Sequence, residues 1–72
     1  MRKETLLEQV EQGLAESDLR IGWQLVYLAR LRGLGQNTIA AELVLWEMEC
    51  LQAQWQQRRQ ILLDQLWMDR TA

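Results

Sequence analysis

Catalysis and metal binding draw on a short list of side chains, and this 72-residue chain lacks the most useful of them. It has no histidine and one cysteine, Cys50. Three or four nitrogen and sulfur ligands cannot be assembled from that inventory, which removes zinc sites and haem attachment, and neither a Ser-His nor a Cys-His pair can form. Carboxylate pairs exist, including Glu47 with Glu49 and Asp64 with Asp69. Residues two apart on a helix diverge, however, and neither pair sits in a ligand-like motif. Gly33-Leu34-Gly35 sets two glycines close together, but without the preceding strand and the following Lys-Ser/Thr of a phosphate-binding loop. No catalytic, cofactor-binding or metal-ligating residue is assigned, and the chain reads as a non-enzyme without a cofactor.

What remains is the chemistry of binding. Trp23, Trp46, Trp55, Trp67 and Tyr27 are the whole aromatic inventory, and each indole brings a large area to bury and an N–H that needs a partner. Core packing is the first expectation for Trp46 and Trp55. Trp67, beside Met68 near the chain end, stands evenly between core and surface. Wherever a tryptophan is exposed it marks a partner site, because the residue is enriched at interface hot spots. Arg30 and Arg32 are two apart and diverge on a helix; they either form a solvated face that neutralises helix C-terminal carbonyls or meet an acidic partner. The candidate partner-binding residues are therefore Trp46, Trp55, Trp67, Arg30 and Arg32. Cys50 is expected as a small buried or half-buried side chain.

Charge and length narrow the setting. Eight Lys+Arg against ten Asp+Glu give a net charge of −2, which supplies none of the phosphate attraction that dominates nucleic-acid affinity. The N-terminus carries two cations without an apolar run of signal-peptide length. No apolar stretch approaches the roughly 20 residues needed to cross a bilayer. With one unpaired cysteine, the expected compartment is the cytoplasm. At this size a lone domain buries only about 60% of its unfolded surface, so a second chain is expected.

The elements that must position these residues are helical. The chain has no proline, and Leu, Gln, Glu and Ala are abundant, all favourable in helices. Punctuation concentrates in Arg32-Gly33-Leu34-Gly35-Gln36-Asn37, where a helix ends on a left-handed residue at Gly33 or Gly35 and the next starts from a cap at Gln36 or Asn37. A single domain follows, with a helical arm over about 3–32, a turn at 33–37 and a long helix over about 37–69. Ser17 or Asp18 caps a separate helix within the first arm, or the arm continues unbroken; both readings stay open.

The inner stripe of the long helix is traced through Val44, Met48, Leu51, Trp55, Arg58, Leu62 and Leu66, and Ile39, Leu43, Trp46, Cys50 and Ala53 form a second stripe. With the turn near Gly35, antiparallel pairing sets residues whose numbers sum to about 70 opposite each other. Leu31 then meets Ile39, Val26 meets Val44, Leu19 meets Leu51, Ala15 meets Trp55, and Leu7 meets Leu62 or Leu63. Arg58 snorkels to the rim or reaches Glu11 or Glu8. The fold class is all-α: an antiparallel helical hairpin with a long C-terminal helix, dimerising into a four-helix bundle that buries the second stripe. The alternative breaks the first arm and folds as a three-helix bundle.

The turn region opens like a helix-turn-helix, with Gln36-Asn37-Thr38-Ile39-Ala40, but Val44 to Glu49 run on as helix where a second turn would have to come. Arg30-Leu31-Arg32, the turn at Gly33 to Gln36, Ile39-Ala40 and the Leu-rich helix from Leu43 to Leu66 resemble the latter half of the MerR-like chaperone-modulator family, the CbpM type. The resemblance spans about residues 20 to 66. It implies a protein that binds the J-domain of a DnaJ-like co-chaperone and blocks its work. The expected function is a small homodimeric interaction module, acting as adaptor, chaperone modulator or secretion-type chaperone by covering a partner's apolar surface. Two alternatives are a dimeric transcription-associated protein touching DNA through Arg20, Arg30 and Arg32, and a structural subunit of a larger assembly.

Overall fold

The computed structural model describes residues 2–71, with the side chains of all but Lys3 and Thr71. Two helices fill it, α1 over Lys3–Gly33 and α2 over Ile39–Thr71. They pack against each other as an antiparallel hairpin of 58 × 17 × 14 Å. The first arm is one helix that passes through Ser17-Asp18 without a break, so the three-helix alternative falls. Neither residue has reason to cap there, since a continuing helix already satisfies its neighbours' N–H groups.

The turn forms from the residues that the sequence marks. Gly35, with φ of 69°, is the left-handed position, and the two hydrogen bonds that close the helix end converge around it. Gly35 N–H donates to the Arg32 carbonyl at 3.1 Å and Gln36 N–H to the Leu31 carbonyl at 2.9 Å, the paired pattern of a Schellman C-terminus. On the far side the Asn37 carboxamide oxygen accepts from Ile39 N–H at 2.9 Å, while the Thr38 carbonyl takes the first intrahelical bond, from Glu42. The start of α2 thus has one orphan donor satisfied by a side chain.

Along α1 the positions turned inward are Leu7, Val10, Leu14, Ser17, Ile21, Gln24, Leu28 and Leu31. Their alternating spacings of three and four are those of a coiled-coil seam. On α2 the matching series is Ala41, Leu45, Met48, Gln52, Trp55, Leu62 and Leu66. Among the described residues only Val10, Leu28 and Ala41 are buried; the rest of the seam is half-buried. Gln24 fills its seam position by donating to the Ala41 carbonyl at 2.9 Å.

The expected register survives and the expected rotation of α2 does not. Contacts such as Gly13 with Trp55, Asp18 with Gln52 and Glu11 with Arg59 place opposed residues where their numbers sum to about 70. Met48, Trp55, Leu62 and Leu66 lie on the seam as traced. Val44, Leu51 and Arg58 do not: all three are exposed, and α2 instead turns Leu45, Gln52 and the level of Arg59 toward α1. Val26 and Leu19, their expected partners, are exposed too, as are Ala15 and Ile39. The cause is that α2 carries apolar residues on several sides, so periodicity alone does not choose among stripes one residue apart. In the observed rotation Gln52 reaches Asp18 and Arg59 reaches Glu11.

Candidate docking surface

The two flanks of the seam differ in chemistry. One flank is bridged between the arms three times. Arg59 donates to Glu11 at 3.4 Å, Gln52 donates to Asp18, and Arg32 donates to Glu42 at 3.0 Å. These are exposed pairs, each contributing at most about 1 kcal/mol, but together they fix the rotation of the arms. The expected reach of Arg58 toward Glu11 is thus made by its neighbour Arg59, about 100° further round the helix.

The opposite flank is an apolar groove with Trp55 at its centre. One end is lined by Leu6, Val10, Ile61 and Leu62 together with Gln9, Arg58 and Gln65. Its continuation past Trp55 is more polar, lined by Gly13, Glu16, Ser17, Arg20, Met48 and Leu51. Gly13 explains how a tryptophan fits there: a Cβ at that position would stand 3.0 Å from Cε2 and Cζ2 of the indole. The absent side chain lets the ring lie against α1. Arg58 covers the ring from solvent, its guanidinium carbon 5.4 Å from the centroid, within reach of a cation–π contact. Val44 and Leu51, the residues displaced from the seam, extend the groove toward the turn.

Leu25, Tyr27, Leu34, Trp67 and Met68 are exposed as well, and further apolar residues lie on the two outer edges, turned away from the seam. On α1 these are Leu19, Trp23 and Val26; on α2 they are Ile39, Leu43 and Trp46, with Cys50 exposed beside them. Cys50 was expected buried or half-buried and is exposed, because a two-helix hairpin covers one side of each helix and Cys50 is on the other. The expected core role of Trp46 fails for the same reason, its ring being 63% exposed.

The sequence-derived candidates are not gathered into one site. Trp46 and Trp55 are nine positions apart, about two and a half turns, and so face opposite ways. Trp67 is exposed near the end of α2. Arg30 is exposed on the outer side of α1, and Arg32 is engaged by Glu42. Arg20 lines the groove, so the three arginines of the DNA-binding alternative point in different directions. Trp23 was missed as a candidate; its spacing of four and three from Leu19 and Val26 was the signal.

The exposed surface is larger than the mass calls for. It measures 5859 Å² for 8.6 kDa, where a folded monomer of that mass exposes about 4,700 Å². No group of three His, Cys, Asp or Glu among the described residues could hold a metal ion. No helix among them is long and apolar enough to cross a membrane. The chain matches no protein-family model, and no curated protein or solved structure is similar to it at a significant level.

Proposed function

We propose that the protein is a small non-enzymatic protein–protein interaction module, an adaptor, chaperone modulator or secretion-type chaperone acting in the cytoplasm. The groove along Leu6, Trp55, Leu62 and Leu51 carries this reading. It is apolar, open along one flank of the hairpin, and backed on the other flank by bridges that hold the arms in one rotation. A preformed groove of this kind accepts the apolar stripe of another helix. Occupancy is the mechanism: a partner's helix seated there is covered, or kept from a third protein. In the purified protein the same face meets its own copy, and two hairpins joined groove to groove form a four-helix bundle.

The test compares material retained from the native host by the wild-type protein and by Leu51→Glu, which charges the groove without touching the seam. A partner held by the wild type and lost by the variant supports the reading. Identical retention by both refutes it. The resemblance to chaperone modulators makes the J-domain of a DnaJ-like co-chaperone the first defined partner to titrate.

A further inference from the structure

The two outer edges of the hairpin fit each other. Each of their residues stands nine positions from a seam residue: Trp23 from Leu14, Leu19 from Leu28, Trp46 from Trp55, Leu43 from Gln52, Cys50 from Ala41. Nine residues are about two and a half turns, so these side chains lie diametrically opposite the seam. Both edges repeat at four and three, as a second pair of helix-packing stripes does. They also stand at one height along the molecule. In the hairpin's own register, where opposed numbers sum to about 70, Trp23 is level with Trp46, Val26 with Leu43 and Leu19 with Cys50.

We infer that the occupant of each edge is a second copy of this chain, placed side by side in the same orientation. The α2 edge of one copy then meets the α1 edge of the next in the antiparallel register that the arms already use. Trp23 packs on Trp46, Val26 on Leu43 and Leu19 on Cys50, and one turn beyond at either end Arg30 stands level with Ile39 and Glu16 with Ala53. Ile39, Leu43, Trp46, Cys50 and Ala53 bring no charge to the contact. The two edges are different surfaces, so the contact is heterologous and every addition leaves one edge of each kind open. Association therefore continues past the dimer into a row, or closes only as a ring. The groove takes no part in this contact.

Sedimentation of the full chain from low to several hundred micromolar is expected to give masses of three or more chains, rising with concentration or fixed by ring closure. Trp23→Glu and Trp46→Glu each remove one edge and are expected to abolish growth. Their mixture, with both chains also carrying Leu51→Glu so that the groove joins no copies, is the decisive case: each variant keeps the edge the other has lost, so the pair joins once and stops as a one-to-one complex. A wild type that never exceeds a dimer, a Trp23→Glu chain that still grows, or a mixture that does not join would each overturn the inference. Leu51→Glu, which addresses the groove, leaves growth past the dimer intact, so the two readings fail separately. Should a glutamate variant not fold, cross-linking serves: Leu19→Cys supplies a thiol facing the neighbour's Cys50, and mild oxidation is expected to give a ladder of linked chains. No ladder there, or rapid Cys50 to Cys50 linkage in the wild type, counts against it.

Discussion

Two glycines inside α1 offer a comparison in which the same substitution has different consequences. Replacing an interior helical glycine by alanine gains about 0.8–1 kcal/mol from lower backbone entropy in the unfolded chain and better helix propensity. At Gly22 nothing lies within 4 Å of the added methyl, so Gly22→Ala should realise the full gain. At Gly13 the methyl would sit 3.0 Å from two indole carbons of Trp55 and 3.1 Å from a third. Overpacking of that kind costs about 1–3 kcal/mol unless the neighbour yields, and the Trp55 ring, half-buried between the arms, must give by a few tenths of an ångström to admit it. Gly13→Ala is therefore expected at or below wild-type stability, and at least about 1 kcal/mol below Gly22→Ala. For a chain of this length 1 kcal/mol is worth about 4–8 °C in Tm. Thermal unfolding by circular dichroism at low micromolar concentration measures the gap, and indole fluorescence reports whether Trp55 has become more exposed. In a Trp55→Leu background the obstacle is gone and Gly13→Ala should recover most of the gain. Equal stabilisation by the two alanines in the wild-type chain would refute the packing of Trp55 on Gly13.

The other expectations concern the seam, the turn and charge. Leu28→Ala empties one of the three buried positions among the described residues and should cost about 2–5 kcal/mol, whereas Leu19→Ala on the outer edge should change monomer stability by less than about 0.5 kcal/mol; urea titrations of both at low concentration give the ratio. Gly35→Ala forces a side chain into positive φ and should cost about 1–2 kcal/mol, and Asn37→Ala about 1 kcal/mol through the lost bond to Ile39. With arginines scattered and a net charge of −2, the protein should not be retained on DNA even at low ionic strength; retention that falls steeply with added salt would contradict the reading.

The division into two arms was legible because its signals are local and unambiguous. Gly35 and Asn37 fit only a helix end followed by a helix start, and no proline interrupts either arm. The register followed from the position of the turn. The rotation of α2 was not legible, since Val44 and Leu45, Leu51 and Gln52, and Arg58 and Arg59 compete for the same levels of the seam about 100° apart. An apolar stripe identifies Val44 and Leu51; in the observed arrangement Gln52 and Arg59 meet Asp18 and Glu11 of the other arm, partners that no pattern within α2 records. The exposure of Trp46 and Cys50 was missed for a related reason. Apolar residues were expected to be inside, but each helix of a hairpin has one covered side and α2 has more apolar positions than that side can hold.

The distribution of burial along the hairpin also bears on the order in which it forms. Leu28 and Ala41, two of the three buried residues, flank the turn, and Gln24 reaches the Ala41 carbonyl there. Closing the chain at that point spans little more than a dozen residues, and each further turn of seam adds only a slightly longer loop, at slowly growing entropic cost. The molecule is thus built to zip from its middle outward, with its two termini docking last. Native-state hydrogen exchange should show protection falling from the turn toward both ends, the amides around Leu28 outlasting those around Leu7 and Leu66. During synthesis this order means that α1 waits as an unpaired arm until α2 begins to emerge, and pairing then proceeds as fast as the second arm is released.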